Sequence, residues 1–407
     1  MSQKELVVLA YSGGLDTSIA IPWIRERYAA EVITLTVDLG QGKSLDGMEE
    51  RALQAGAVKA FVVDGKEAFV RGFVWPALQA GAVYERQYPL ATALGRPLIA
   101  QYLVDVAERE GATAVAHGCT GKGNDQVRID VGVTSLAPRL RIIAPAREWG
   151  MTRDEEMDYA RERGVPVPTT KASPYSIDEN LWGRSIESGV LEDPWREPPD
   201  DVFQWTRSAP QTPDAPAYRE IDFERGIPVG VNGETLESVA LIEHLNALAG
   251  EHGVGRADHL ENRLVGIKSR EIYEHPAASV LHDAHRALET LTLGREQQRM
   301  KELVAQQYAD AVYTGLWFSA HRRDLDAYVR STQRFVTGAV RVRLHKGACT
   351  VVGRRSPHAL YAYELATYDK ADTFDHQASE GFIKIYGLAA RTQESRQPAD
   401  EANSGDR

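Results

Sequence analysis

The chain has 407 residues, of which 43% are hydrophobic and 26% are charged, so its composition excludes an intrinsically disordered protein and favours two globular domains. The formal net charge of -11 opposes attraction to phosphate backbones, so we expect no nucleic-acid partner. The two cysteines, Cys119 and Cys349, are far apart and form no metal-ligand pattern, which excludes a disulfide framework and favours reduced thiols.

Targeting and membrane segments are not evident in the sequence. The N-terminus lacks a signal-peptide pattern, and no uncharged run approaches the roughly 18 residues that a membrane span needs. We therefore expect a cytoplasmic protein with no membrane partner. The densest basic region, residues 321–334, is interleaved with acids and predicts a solvated helix face rather than a binding patch.

In the first half of the chain, short runs rich in β-branched residues alternate with amphipathic stretches. The predicted strands are 5–11, 31–40, 59–65, 112–118 and 141–146. The predicted helices are 17–28, 43–56, 66–81, 96–111 and 152–164. Strands that are apolar throughout and separated by helices predict a parallel sheet covered on both faces, in a doubly wound α/β nucleotide-binding domain. We expect Pro22 to kink the first helix.

The proline-rich segment 165–176 interrupts this alternation and predicts a domain boundary. Beyond it, 218–236 predicts two strands, 238–253 a helix, and 339–356 a hairpin around Lys346 and Gly347, so this half is α+β with antiparallel pairing. The predicted units are 1–168, 169–370, a C-terminal helix over 371–392, and a disordered polar tail over 393–407.

The stretch LVVLAYSGGLDTS, residues 6–18, joins the first strand to the first helix through two adjacent glycines. Gly13 and Gly14 allow a tight turn whose free N–H groups, at the positive end of a helix dipole, form a site for phosphate. Hydroxyl donors flank the turn at Ser12, Thr17 and Ser18. The absence of a following lysine excludes the common P-loop, and the adjacent glycines exclude GxGxxG. The pattern resembles the SGGxD[ST] turn of the ATP pyrophosphatases, which holds the leaving pyrophosphate. For Asp16 alone, a first-turn acid complementing the helix dipole is the alternative interpretation.

A second loop, AHGCTGKGNDQVR at 116–128, also follows a predicted strand, where ligands bind in open α/β sheets. Asn124 can donate and accept hydrogen bonds, Asp125 can bind an ammonium group, and Arg128 can bind a carboxylate through two hydrogen bonds. These groups suit amino-acid substrates beside a nucleotide. Taken alone, the loop is equally compatible with a solvated surface loop.

Five long motifs, in order, carry a resemblance to the argininosuccinate synthase family of PP-loop ATP pyrophosphatases, from about residue 6 to about residue 390. They are AYSGGLDTS at 10–18, AHGCTGKGNDQVR at 116–128, SPYSIDENLWGRS at 173–185, GVLEDPW at 189–195 and ENRLVGIKSREIYE at 261–274. The resemblance implies a ligase of arginine biosynthesis that joins L-citrulline and L-aspartate through a citrullyl-AMP intermediate. The implied products are argininosuccinate, AMP and pyrophosphate, and Mg²⁺ accompanies the ATP.

The same resemblance implies what each predicted unit does. Residues 1–168 are implied to form an ATP-binding domain of the adenine nucleotide alpha hydrolase type, and residues 169–370 a synthetase and multimerisation domain. The helix over 371–392 becomes an oligomerisation helix of a homotetramer. The active site is then expected in the cleft between the two large domains.

Residue roles are also carried over by the resemblance. The implied ATP contacts are Ala10, Tyr11, Ser12, Gly13, Gly14, Leu15, Asp16, Thr17, Ser18, Val37 and Gly118. The implied substrate contacts are Tyr88, Thr92, Thr120, Asn124, Asp125, Arg128, Ser176, Ser185, Glu261 and Tyr273. Within these sets we assign catalytic roles to Ser12, Asp16, Asp125 and Arg128, and we assign no metal ligand. Thr120, Asn124 and Asp125 are implied to contact aspartate, and Asn124 and Arg128 to contact citrulline.

Two positions depart from the family pattern. Ala93 stands where many relatives have a serine that contacts citrulline, and the neighbouring Thr92 is the candidate replacement. Val37 replaces an alanine whose backbone meets adenine, a contact that tolerates the change. Ser176 considered alone is the cap of a helix predicted over the following IDENLW.

Several residues invite other interpretations. His117 is expected to be a packed or hydrogen-bonding residue rather than a base, and Cys119 a small buried filler. His275, His282 and His285 invite a metal-site interpretation, which the resemblance does not support.

Two alternative functions remain at this stage. A relative with the same turn that adenylates a tRNA base would need a basic face or an RNA module, and the acidic charge argues against it. A nucleotide sensor without enzymatic activity would need neither the amino-acid contacts nor the long second half.

Overall fold

Five parallel strands form the first sheet of the structure, a computed structural model that describes residues 4–42, 45–166 and 174–398. They are β1 Leu6–Ala10, β2 Glu31–Asp38, β3 Lys59–Asp64, β4 Ala114–Ala116 and β5 Arg141–Ile143. Their order is β3-β2-β1-β4-β5, which confirms the predicted parallel sheet. The chain winds in one direction from β1 to β3 and then crosses to β4, so β1 and β4 border the switch point, where such sheets bind ligands.

Helices alternate with these strands. They are α1 Leu15–Tyr28, α2 Met48–Gln54, α3 Lys66–Phe69, α4 Trp75–Ala80, α5 Ala91–Glu110, α6 Asp125–Leu136, α7 Pro145–Glu148 and α8 Arg153–Glu162. The five predicted helices are present, whereas α6, which begins inside the predicted second loop, and α7, which begins inside the strand predicted over 141–146, were not predicted. A π-helical turn, Val70–Val74, joins α3 to α4, so the predicted helix over 66–81 is one continuous run. Helix α1 continues through Pro22 without interruption.

The faces of β1 show why its sequence is apolar throughout. Val7 and Leu9 are buried in the core that includes Ile19 of α1, whereas Val8 is buried in the core that includes Leu98 of α5. Because helices cover both faces of the sheet, no position of this central strand is polar. This rigid strand supports the turn that follows it.

Beyond residue 175 the strands are antiparallel. They are β6 Ser176–Asn180, β7 Gly183–Glu187, β8 Ala217–Glu224, β9 Ile227–Val231, β10 Glu234–Thr235, β11 Arg256–Asn262, β12 Lys268–Glu274, β13 Gly338–His345 and β14 Ala348–Arg355. One sheet has the order β11-β12-β7-β6 and the other β10-β9-β8-β13-β14. Single 3-10 turns occur at Gly189–Glu192, Asp200–Val202, Ala209–Gln211 and Gln333–Phe335. The helices of this part are α9 Ser238–Glu251, α10 Pro276–Thr292, α11 Arg295–Tyr313 and α12 Ala320–Thr332. The predicted helix over 238–253 and the hairpin over 339–356 are confirmed.

The helix predicted over IDENLW is wrong, because the segment forms β6 and the turn after it. Strand β6 pairs along its whole length with β7, and the side chain of Asn180 donates a hydrogen bond of 2.8 Å to the Ala91 carbonyl. Six residues are too few for periodicity to separate helix from strand, so this pairing decides the conformation. Ser176 is therefore the first residue of a strand and not a helix cap.

The chain divides into two compact units, Met1–His358 and Ala359–Arg407. The second unit contains α13 Tyr363–Ala366, α14 Ala378–Tyr386 and α15 Leu388–Arg396. The single helix predicted over 371–392 is thus two helices that meet at Gly387, and α15 extends into the predicted disordered tail. The end of that tail, 399–407, lies outside the described residues, as do 167–173 of the predicted domain boundary. Among the described helices, none is long and apolar enough to cross a membrane.

Candidate functional site

The glycine turn lies between the end of β1 and the start of α1. Gly13 has a φ of +71°, a left-handed backbone conformation that favours glycine, and a Cβ there would lie 2.6 Å from the sulfur of the flexible Met48 side chain. Gly14 is the N-cap residue of α1 and has no side chain to cap the helix. The N–H groups of the first turn of a helix have no intrahelical acceptor, so they are available to an anion.

Hydroxyl groups hold the shape of this turn. The Ser12 and Thr17 hydroxyls lie 3.1 Å apart, and Thr17 Oγ1 also donates to the Gly14 carbonyl at 3.3 Å. The hydroxyls of Tyr11 and Ser18, which are both buried, also lie 3.1 Å apart. The Ser12 side chain is exposed, so its hydroxyl is the one that an incoming ligand reaches first.

An acidic pair that the sequence did not reveal lies beside the turn. Asp16 accepts a hydrogen bond of 3.1 Å from Arg153 of α8. Burial, reinforced by the negative charge of Asp16, raises the pKa of Glu156 on the same helix to about 7. Asp16 is therefore more than a dipole-complementing acid, since it faces a carboxyl and a guanidinium group from a helix 137 residues away.

Val37 and Gly118 lie at the ends of the two strands that flank β1. Val37 is buried near the end of β2, and its carbonyl accepts a hydrogen bond of 3.0 Å from the Gln41 side chain. A Cβ on Gly118, which follows β4, would lie 2.8 Å from Thr17 Cγ2. The second loop thus passes directly over the first turn of α1, and the two predicted ATP-binding loops meet.

His117 has a structural role in the second loop. Its Nδ1 accepts a hydrogen bond of 3.1 Å from the Cys119 N–H, so Nε2 carries the proton and donates it to Asp130 at 2.7 Å. Burial raises the pKa of the Cys119 thiol to about 12, which leaves it an unreactive thiol.

Asp125 lies between two arginines at the start of α6. Its oxygens accept hydrogen bonds from Arg128 at 2.9 Å and from Arg96 of α5 at 2.8 Å, and Arg96 also pairs with Asp178 of β6. Burial raises the pKa of the Asp125 carboxyl, but the charges of Arg96 and Arg128 outweigh this effect and hold the pKa at about 2. Asp125 is consequently a fixed negative charge.

Asn124 has a partner for each half of its amide. Its Nδ2 donates to the Tyr313 hydroxyl at 2.8 Å, and its Oδ1 accepts from the Leu264 N–H at 2.9 Å. The Tyr313 hydroxyl lies 2.7 Å from one oxygen of Glu261, whose other oxygen lies 2.6 Å from the Tyr273 hydroxyl. These bonds join the predicted substrate residues of the loop to those of β11 and β12.

Tyr88 stacks on Tyr273, with ring centroids 4.3 Å apart. Its hydroxyl accepts hydrogen bonds from the backbone N–H groups of Thr92 and Ala93 at 2.9 and 3.2 Å. The phenol proton is not used by these bonds, so Tyr88 can donate it to a ligand.

The remaining predicted substrate residues differ in their surroundings. Ser185 pairs across strands with Tyr273, and its hydroxyl lies 3.4 Å from the Asp178 carbonyl. The Thr92 hydroxyl bonds to the Asp178 carboxyl. Thr120 and Ser176 are exposed, and within the described residues neither has a side-chain hydrogen bond to the rest of the predicted set. Direct contacts therefore group eight of the ten predicted substrate residues into two sets and leave these two at the margin. One set is Asn124, Asp125 and Arg128, the other is Tyr88, Thr92, Ser185, Glu261 and Tyr273, and Tyr313 joins them.

The described histidines and acidic residues do not form a metal site. Among the described residues there is no group of three or more His, Cys, Asp or Glu side chains able to hold a metal ion. Burial lowers the pKa values of His275 and His282 to about 4 and about 3, and His285 bonds to Gln333 at 2.8 Å. Lowered pKa values keep all three histidines neutral, and His275 and His285 are buried in the core whereas His282 is partly buried.

Four residues of this region were missed by the sequence analysis: Arg96, Arg153, Glu156 and Tyr313. Each lies on a helix in a stretch that reads as ordinary amphipathic sequence, and each contacts the site from a distant part of the chain. Glu156 and Tyr313 are a charged and a tyrosyl residue at buried helix positions, whereas Arg153 is exposed and carries no such signal.

A parallel sheet with an anion-binding glycine turn at its switch point defines a nucleotide-binding α/β protein. Two family models match this chain: the arginosuccinate synthase N-terminal HUP domain over residues 6–166 and the arginosuccinate synthase C-terminal domain over residues 175–393. The chain belongs to the argininosuccinate synthase family.

Individual relatives agree with this assignment. The chain is 58% identical to the argininosuccinate synthase of Dehalococcoides mccartyi over 407 residues, which is 100% of both chains. It is 58% identical to that of Symbiobacterium thermophilum over 95% of this chain and 97% of the relative. It is 57% identical to that of Dictyoglomus thermophilum over 95% of this chain and 96% of the relative.

Proposed function

We propose that this chain is an ATP-dependent ligase that joins L-citrulline to L-aspartate and releases AMP and pyrophosphate. The observation that supports the proposal is the contact between the two loops: a Cβ on Gly118 would lie 2.8 Å from Thr17 Cγ2, so the turn proposed to bind phosphate and the loop proposed to bind amino acids are adjacent. The identity of the substrates is inferred from membership of the argininosuccinate synthase family, which the matches support over the whole chain.

In the first step, the ureido oxygen of citrulline attacks the α-phosphate of ATP, because that oxygen is a poor leaving group until it is adenylated. Pyrophosphate leaves toward the N–H groups of the glycine turn and the Ser12 hydroxyl, which receive its charge. No nucleophilic side chain is needed, since alignment and charge stabilisation dominate such reactions. The side chains of the proposed site are held in place by burial and by hydrogen bonds to one another, which fits a reaction that requires a fixed geometry.

In the second step, the amine of aspartate attacks the adenylated carbon as the free base, the bond from that carbon to the AMP oxygen breaks, and the departing AMP phosphate takes the proton that the nitrogen loses. Asp125, with its low pKa and two arginine partners, offers a permanent negative charge to an ammonium group. Arg128 is held at both ends, by Asp125 and by the Tyr313 carbonyl, and offers its remaining N–H groups to a carboxylate. Glu261 and Tyr88 supply an acceptor and a donor on the opposite side.

Mg²⁺ is expected to accompany ATP. A nucleotide-bound Mg²⁺ needs only one or two protein carboxylates, and Asp16 beside the turn fits that requirement. Asp16 repels the ionised form of Glu156, and a divalent cation would relieve this repulsion. When bound, the ion would supply positive charge to the departing pyrophosphate.

A homotetramer is the second part of the proposal. The three helices of the second compact unit contain no buried residue among those described, and Phe382, Ile383, Ile385 and Tyr386 of α14 are all exposed. A segment with such an apolar surface gains stability by covering it, and another copy of this chain is the partner we propose.

The test is pyrophosphate release from ATP with citrulline and aspartate supplied singly and together. We expect continuous release only when both amino acids are present, and at most one equivalent per chain with citrulline alone, because the intermediate then stays bound. Aspartate alone should give none. Absence of any citrulline-dependent release would refute the proposed function.

A further inference from the structure

Tyr313, the last residue of α11, places its hydroxyl inside the group of predicted substrate residues. The hydroxyl lies 2.7 Å from Glu261 Oε1 and 2.8 Å from Asn124 Nδ2, and the side chain is almost fully buried. Tyr313 itself carries no role in the resemblance. Its hydroxyl is the only group that joins the loop of Asn124 to strand β11 through side chains within the described residues.

The directions of these two bonds are fixed by chemistry. Burial, with the negative charge of Glu261, raises the pKa of the Tyr313 hydroxyl, so it keeps its proton and donates it to the carboxylate. Its lone pair must then accept from the N–H of Asn124. The amide of Asn124 is thereby held with Nδ2 toward Tyr313 and Oδ1 toward the Leu264 N–H, and it cannot rotate by half a turn without losing both bonds.

The rest of Tyr313 holds a third predicted substrate residue. The Arg128 guanidinium lies 4.8 Å above its ring, and Arg128 Nε donates to the Tyr313 carbonyl at 2.9 Å. The opposite face of the ring stacks on Tyr84, with centroids 3.6 Å apart and planes within 5°. Gly315 lets the chain approach this closely, because a Cβ there would lie 2.9 Å from Arg128 Cα.

We propose that Tyr313 is a positioning residue of the ligase, whose hydroxyl sets the orientation of Asn124 and Glu261 toward the amino-acid substrates. The inference rests on the proposed function. Packing alone does not explain the hydroxyl, since a phenylalanine would fill the same volume, and a buried hydroxyl is unfavourable without partners. Both of its partners belong to the predicted substrate set, and neither belongs to the glycine turn.

The test compares Tyr313→Phe with a matched control, Tyr308→Phe. Tyr308 lies on the same helix, is equally buried, and also bonds to a carboxylate, Asp326, at 2.9 Å, yet it has no contact with the predicted substrate residues among the described contacts. The full-length enzyme is assayed for kcat and for the KM of citrulline, aspartate and ATP. Thermal unfolding midpoints are measured for both variants.

We expect Tyr313→Phe to raise the KM of citrulline by about tenfold or more, as for loss of a hydrogen bond to a charged group, and to raise that of aspartate as well. The KM of ATP should stay unchanged in Tyr313→Phe, and all three values should stay unchanged in Tyr308→Phe. Equal shifts of all three KM values, or no shift in Tyr313→Phe, would overturn the inference. A lowered unfolding midpoint with unchanged KM values would likewise overturn it, because the hydroxyl would then be merely structural.

Failure of the proposed function gives a different result. In that case the unaltered chain itself shows no citrulline-dependent pyrophosphate release, and the inference falls with the function. If the unaltered chain turns over while Tyr313→Phe matches it, the inference alone is wrong.

Discussion

Replacing Gly118 with alanine tests whether the second loop and the glycine turn form one ATP site. The new Cβ would lie 2.8 Å from Thr17 Cγ2, 3.8 Å from Thr17 N and 3.9 Å from Asp16 Cβ. Carbon atoms pack at about 3.5–4.0 Å, so the first contact is too short by about 1 Å. Thr17 cannot simply turn away, because its hydroxyl bonds to Ser12 and to the Gly14 carbonyl.

The size of the effect follows from this overlap. Insertion of a methyl group into a packed site costs about 1–3 kcal/mol. If Thr17 moves to relieve this strain, the glycine turn is displaced and the binding free energy of ATP is weakened by that amount. We therefore expect the KM of ATP to rise by about 5-fold to 150-fold, while the KM of citrulline changes little. Both values can be taken from initial rates of pyrophosphate release.

Gly121→Ala is the matched control. It lies in the same loop, and nothing is within 4 Å of its added Cβ, so the KM of ATP should be that of the unaltered chain. Equal ATP KM values for Gly118→Ala, Gly121→Ala and the unaltered chain would refute the argument that the two loops share a ligand.

Two further predictions concern charge and assembly. Because Arg96 and Arg128 hold the pKa of Asp125 at about 2 rather than 3.8, its charge stabilises the fold by about 2 kcal/mol above pH 4. We expect Asp125→Asn to lower the free energy of unfolding in urea by that amount at neutral pH. The difference between the variant and the unaltered chain should shrink as the pH falls from about 4 to about 2. A difference that does not change with pH would contradict this prediction. For the exposed face of α14, the double variant Phe382→Asp and Ile385→Asp should reduce the mass measured by light scattering below that of the unaltered chain, and an unchanged mass would exclude this face from the interface.

The first half of the fold was predictable because its central strands, β1, β2 and β4, are buried on both faces. Continuous apolar runs between amphipathic stretches leave few alternatives to a parallel sheet, and the strand order then brings the ends of β1, β2 and β4 together. The same strand order places the glycine turn and the second loop side by side, and their role as ligand loops stays a prediction. Their substrates were not predictable from this pattern, since the identity of an amino acid came from family resemblance.

Other features depend on contacts between distant segments, which leave no periodic signal in the sequence. The pairing of β6 with β7 overrides a short pattern that favours a helix. Arg96 contacts Asp125 and Asp178 from the second turn of α5, and Arg153 contacts Asp16 from α8. Such residues could be named only after the helices were placed.

The hydrogen bond between Asn124 and Tyr313 spans 189 positions of the chain. A ribosome must therefore synthesise more than three quarters of the protein before the proposed amino-acid site can close, although the glycine turn lies between the first strand and the first helix of the chain. Bringing two such distant segments together is an entropic cost that local structure cannot reduce. During refolding, the ability to bind nucleotide should therefore return before the ability to bind citrulline. Recovery of citrulline binding should show that both distant segments have come together.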